Sequence, residues 1–240
     1  MPRNLNDALI GADIKPSSRS VMVSVAIDGS ASTEGSKNKI INQSIREALN
    51  ALKDQAEQHA EIPHNLYFIT FADEAKSLFG EDPVPVKDVV WNDVPAGGMT
   101  STGKAIHMMA DTLEPNRMPK KTFPSVLVLI SDGGNTDGSD YEEAIVRLES
   151  NPYGKRAVRI AIGVGQDYDR KQLEKFTNLE CGVLEAANTV DLVNYIEYAL
   201  TTVVQSSINP PSHNPTNSFN TFVPPPPAQG TPNGVALEVF

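Results

Sequence analysis

The sequence predicts a three-layer α/β fold, a mostly parallel central sheet with helices on both faces. Three observations carry that prediction. Residues 21–27, 126–130 and 157–164 are short, nearly unbroken apolar runs, the pattern of strands covered on both sides. Segments with helical periodicity lie between those runs, and strands that alternate with helices build parallel sheets. No internal repeat divides the 240 residues, a length that suffices for one large core or two small ones without disulfides.

Taken in order, residues 1–19 form a flexible leader, and the folded domain is expected over residues 20–207. The first strand runs through Val21, Met22, Val23, Val25, Ala26 and Ile27 and ends at Asp28. A polar loop follows, then an amphipathic helix whose apolar stripe is Ile40, Ile41, Ile45, Ala48, Leu49, Leu52 and Ala56, closed by Pro63. Residues 65–71 are rich in aromatic and β-branched side chains and form the second strand. A short strand is expected near residues 76–79, before a connection broken by prolines. Gly97 and Gly98 precede a helix over about residues 103–113, with Ala105, Ile106, Met109 and Leu113 as its stripe. The apolar strand 126–130 leads into Ser131-Asp132-Gly133, and a helix follows over 141–149. After the strand at 157–164 come a helix at 170–176, a short edge strand at 183–184, and a last helix capped by Thr189 with Leu192, Val193, Ile196, Ala199, Leu200 and Val203 on one face. Residues 208–240 hold eight of the 18 prolines and one charged side chain, Glu238, so that tail is expected to be extended or disordered.

The net charge of -10 argues against a nucleic-acid binder and against docking on anionic membranes, since both need clustered cations. No apolar stretch has the length of a signal peptide or of a membrane span, and a cytoplasmic protein is expected. Cys181 is the single cysteine, so no internal disulfide forms, and a small buried hydrophobe is its simplest role.

In a parallel sheet, ligands bind beyond the carboxyl ends of the strands. The first strand ends in Asp28-Gly29-Ser30-Ala31-Ser32, and strand 126–130 ends near Asp132. Between them Gly97-Gly98-Met99-Thr100-Ser101-Thr102-Gly103 opens a helix. Three hydroxyls (Ser30, Ser32, Thr100) and two carboxylates (Asp28, Asp132) can therefore meet at one sheet edge. All five are hard oxygen donors, suited to Mg²⁺, with Mn²⁺ or Ca²⁺ as alternatives. Neutral hydroxyl ligands leave such an ion under-neutralised, so a carboxylate from a partner would be drawn to it. Gly29 and Ala31 are small, which lets the loop fold back. A D-x-S-x-S pattern alone is weak; the weight comes from three motifs in order, each in its expected context.

Those three motifs make the chain resemble a von Willebrand factor A domain with its metal-ion-dependent adhesion site (MIDAS), from about Ser20 to about Ser206, and along it the segments AIDGSAST, ITFADEA, AGGMTSTGKAI, VLVLISDGGNTDG and IAIGVG follow in order. Within that superfamily it looks most like the bacterial intracellular TerY-like group, which is linked to tellurite-resistance and stress operons beside kinases and metal-dependent phosphatases. The resemblance implies a Rossmann-like fold with a six-stranded sheet. It implies that Ser30, Ser32 and Thr100 bind the metal directly, and that Asp28 and Asp132 act directly or through water. It also implies a non-enzymatic scaffold whose protein partner, such as an operon-linked kinase or phosphatase, supplies an Asp or Glu to the metal. Where the family often has Gly-Ser after the first serine, this chain has Ala31-Ser32.

Competing signals are weaker. Gly98 to Lys104 has the spacing of a phosphate-binding loop, but Ala105 stands where that motif needs Ser or Thr for Mg²⁺. Residues 135–140 look like a calcium loop without its terminal Glu, and a capped turn accounts for them. His59, His64, His107 and His213 lack metal-ligand spacing. Trp91, Met108 and Met109 are expected in or against the core. An enzymatic alternative, a metal-assisted phosphohydrolase, would have only Asp28 as its base. A structural subunit with an incidental metal site is a third possibility.

Overall fold

The computed structural model describes residues 19–132, 134, 136–166, 168–179, 181–201, 204 and 225–226. In chain order its elements are β1 (Val21–Asp28), α1 (Ser36–Gln58), β2 (His64–Phe71), β3 (Ala75–Ser77), β4 (Val84–Pro85), α2 (Thr102–Thr112), β5 (Val126–Ser131), α3 (Ser139–Ser150), α4 (Pro152–Arg156), β6 (Val158–Val164), α5 (Arg170–Phe176), β7 (Leu184–Ala186) and α6 (Thr189–Leu200). The leader apart from Arg19, the Pro-rich tail apart from Pro225 and Pro226, and Val203 lie outside the described residues.

The sheet order is β3-β2-β1-β5-β6-β7, and β4 also pairs with β2. Strands β1, β2, β5, β6 and β7 run parallel, while β3 and β4 pair antiparallel with β2. The six-strand path matches the expected sheet, and the two-residue β4 is an addition to it. Every residue of β1 and β5 is buried, which is why their sequences carry no polar alternation.

Two helix layers cover the sheet. Val21, Val23, Val25 and Ile27 of β1 face one side with Ile41, Ile45 and Leu52 of α1 and Leu192 and Ile196 of α6. Met22 and Ala26 face the other with Ile106 and Met109 of α2, Ala144 and Leu148 of α3, and Phe176 of α5. Period two along the strand thus divides one run between two cores. Trp91 is half-buried with its ring against Phe68, Met109 is buried and Met108 packs against the second core. Among the described residues no helix is long and apolar enough to cross a membrane.

Two local expectations need correction, and one element is an addition. The cap of α6 is Asn188 rather than Thr189: its side chain accepts from Asp191 N at 3.0 Å, a reach that fits an Asn one residue outside the helix. Cys181 is exposed, not buried, because it sits in a turn closed by Gly182 N donating to Leu179 O at 3.0 Å. Helix α4 was not expected. Asn151 caps it by accepting from Tyr153 N and Gly154 N at 2.8 and 3.2 Å, with Pro152 at its first position.

Candidate metal site

Asp28 ends β1, and Asp132 directly follows β5, the strand beside it. The sheet order reverses at this point, since the chain leaves β1 toward β2 and later adds β5 on the opposite side of β1. A parallel sheet opens a crevice at such a switch point.

The loop after β1 folds back on the carboxylate that precedes it. Asp28 accepts from Ser30 N at 2.9 Å on Oδ1 and from Ser131 Oγ at 2.6 Å on Oδ2. The Ser30 and Ser32 hydroxyls lie 2.8 Å apart, and Ser32 Oγ donates to Asp132 Oδ1 at 2.6 Å, across 100 residues of sequence. Four of the five residues named from sequence therefore form one connected set. Asp28 and Ser30 are each 1% exposed and Asp132 is 4% exposed, whereas Ser32 stands exposed at the rim. The set is buried at its base and open at one hydroxyl.

Thr100 reaches the set through its loop and not through a direct hydrogen bond. Gly97 N donates to Gly29 O at 2.8 Å and Ala31 N donates to Gly98 O at 3.0 Å, which joins the two loops backbone to backbone. Thr136 then clasps Thr100: its amide and hydroxyl donate to Thr100 O at 2.9 and 3.0 Å. Asp73 accepts from Met99 N at 2.9 Å, and Asp137 caps α2 by accepting from Gly103 N at 2.7 Å. Thr100 itself is buried.

Two glycines are needed for this approach. A Cβ on Gly29 would lie 2.9 Å from Thr70 Oγ1 and 3.3 Å from Pro95 O. Gly98 has φ +89°, and a Cβ there would lie 2.7 Å from Asp73 Oδ2. The expected need for a small residue holds at Gly29, while Ala31 is exposed.

Burial raises the pKa of Asp28 from its ordinary value; hydrogen bonds from Ser131 and Ser30 oppose the shift, and the nearby Asp132 adds to it. A bare anion is thus disfavoured at a position where a cation would relieve the cost. Among the described residues no cluster of three or more His, Cys, Asp or Glu could hold a metal ion. A cation here would rest on hydroxyls as well as carboxylates, and the connected set supplies them. The donors fit a small divalent ion. Asp28, the one base an enzymatic reading would have, is buried, and both its oxygens already accept hydrogen bonds.

Sequence reasoning missed Lys37, Asp73, Ser131 and Thr136. Ser131 and Asp73 carried a signal, since one precedes Asp132 and the other lies two residues beyond the carboxyl end of β2. Lys37 Nζ lies 2.8 Å from Asp132 Oδ2, a contact across 95 residues that no local pattern announces. Lys104, on α2 at the surface, pairs with Glu74 at 2.7 Å and donates to Asp73 O at 3.1 Å. His107 Nε2 faces Asp140 Oδ1 at 3.3 Å.

The fold is a doubly wound α/β domain with a hydroxyl-and-carboxylate cluster at its switch point. The chain belongs to the von Willebrand factor type A domain family, whose model matches residues 23–208. No curated protein matches the sequence. Among solved structures it is similar to a von Willebrand factor type A protein from Catenulispora acidiphila, with a TM-score of 0.57 and 15% identity over 80% of this chain and 43% of that one. It is similar to proximal thread matrix protein 1 from the mussel byssus with a zinc-occupied MIDAS motif, with a TM-score of 0.55 and 16% identity over 78% of this chain and 46% of that one. The ArnB paralog VWA2 from Sulfolobus acidocaldarius gives a TM-score of 0.54 and 20% identity over 75% of this chain and 44% of that one. These likenesses show the fold. This chain spans less than half the length of each of the three.

Proposed function

We propose that the chain is a non-enzymatic protein-binding module that works through one divalent cation held by Asp28, Ser30, Ser32, Thr100 and Asp132. The observation that carries this is the run of hydrogen bonds from Ser30 through Ser32 to Asp132, which brings residues 100 positions apart to one point beside the buried Asp28. Family membership supports the reading, because von Willebrand factor A domains are generally interaction modules. The mussel byssus protein has its MIDAS motif occupied by zinc, which supports a divalent ion at the equivalent place. The all-oxygen donor set favours Mg²⁺, or Mn²⁺ or Ca²⁺, over a softer ion. The exposed rim at Ser32 leaves room for a partner's Asp or Glu to complete the coordination. The likeness of its motifs to the TerY-like group supports a scaffold role in a bacterial tellurite or stress response, with an operon-linked kinase or phosphatase as partner.

Calorimetric titration with Mg²⁺, Mn²⁺, Ca²⁺ and Zn²⁺ tests the site. One ion should bind per chain, and Ser30→Ala or Asp132→Ala should weaken it at least about tenfold. Partner capture should then require the ion and fail in the same variants. Equal capture in excess chelator would overturn the reading.

A further inference from the structure

Lys37 differs from the other paired cations of the described residues. It is the second residue of α1, a position where the helix dipole disfavours positive charge and carboxylates are the usual occupants. Its partner explains the exception. The Asp132 side chain is 0% exposed, whereas every other ion pair among the described residues uses a carboxylate at least 39% exposed. Exposed pairs of that kind contribute little. The Lys37 pair is held against a carboxylate shielded from water, where Coulomb interactions are stronger.

The two oxygens of Asp132 are divided between two kinds of partner. Oδ1 takes the Ser32 hydroxyl, and through it Ser30, while Oδ2 takes the Lys37 ammonium at 2.8 Å. Lys37 therefore sits on the oxygen that the hydroxyls leave free, and a cation joining Ser30 and Ser32 does not have to displace it.

We propose that Lys37 sets the charge of the site and thereby selects an anionic ligand, the carboxylate of a partner's Asp or Glu, over a neutral oxygen. The proposal rests on the metal-dependent reading above. Ionised Asp28 and Asp132 with Lys37 leave one net negative charge, which a divalent cation converts to one net positive charge. Without Lys37 the same cation would bring the site only to neutrality. The lysine thus weakens cation binding and strengthens the pull of the loaded site on a carboxylate. These two effects have opposite signs, which separates a role in charge from a role in structure.

The test uses the full chain and three proteins: wild type, Lys37→Met and Lys37→Arg. Each is titrated with Mn²⁺ by calorimetry; the loaded proteins are then titrated with acetate or with neutral acetamide while the Mn²⁺ resonance spectrum is followed. The Met variant should bind Mn²⁺ about tenfold more tightly and acetate about threefold more weakly, with acetamide unchanged. The Arg variant keeps the charge and should behave as wild type. If Lys37 merely holds Asp132 in place, the Met variant will bind Mn²⁺ more weakly, and the proposal is overturned. Equal Mn²⁺ and acetate affinities in wild type and Met variant overturn it as well, and leave the metal site standing. Absence of Mn²⁺ binding in all three proteins sinks the metal reading and this proposal together.

Discussion

Asp28 shows how a single buried carboxyl couples the site to acidity. Its pKa is raised chiefly by burial. Between the unfolded carboxylate value, about 4, and that raised value, the folded protein binds more protons than the unfolded chain. Stability contributed by this group therefore falls as pH rises through the window, and above the raised value the cost of the buried anion is fully present. Asp28→Asn removes that cost, because the amide never ionises and Ser30 N can still donate to its oxygen. Without added cation, the variant should melt above wild type at pH 7, and the gap should close as pH falls toward about 4. With cation the order should reverse, since only the carboxylate gains from the ion. Thermal melts at both pH values, in chelator and in Mg²⁺, check each part. A variant that melts lower than wild type at pH 7 in chelator would show that its hydrogen bonds outweigh its charge. The placement of Asp28 and Asp132 at one sheet edge could be read from sequence because each closes an apolar run. That of Thr136 and Lys37 could not, because their partners lie 36 and 95 residues away.

Elements buried on both faces announced themselves, and those at the edges did not. Strands β1 and β5 are wholly buried, so every position favours an apolar residue and the runs are continuous. Strand β4 has two residues, one of them Pro85, and pairs with only one neighbour, so neither length nor composition marks it. Helix α4 is five residues long and shows only its Asn-Pro start. One polar residue interrupts β1: Ser24 is 0% exposed, and its hydroxyl has no hydrogen-bond partner among the described residues. A buried hydroxyl without a partner costs free energy that an apolar side chain of similar size does not. Ser24→Ala should therefore stabilise the protein by about 1 kcal/mol. Urea unfolding should show a higher midpoint at an unchanged slope. The substitution lies four residues from Asp28 on the same strand, and cation affinity should stay as in wild type. A lower midpoint would mean that packing around the hydroxyl outweighs its desolvation.

At the scale of the molecule, charge is distributed along the strand direction. Arg19, Lys120, Lys121 and Arg156 line a shallow depression near the starts of β1, β5 and β6, while Asp28, Asp73 and Asp132 lie at the opposite, carboxyl edge. Carboxylates gathered at that edge would favour a cation there, with Lys37 and Lys104 offsetting part of their charge. The fold also gives the site a mechanical position. Loops from three distant parts of the chain, after β1, before α2 and after β5, converge there, and the loops after β1 and before α2 meet through two backbone hydrogen bonds. An ion that gathers all three binds the folded chain and not the unfolded one, so it must stabilise the whole fold by mass action. At a free concentration about one hundred times the dissociation constant, the gain is about 2.7 kcal/mol, or a rise of about 5–10 °C in melting temperature for a domain of this size. Calorimetric melts with and without Mg²⁺ should show that rise in wild type and lose it in Ser30→Ala. Hydrogen exchange should show a uniform gain at amides that open only by global unfolding, and an additional local gain at the amides of residues 29–35 and 97–103. No gain anywhere would mean that the three loops meet without an ion to hold them.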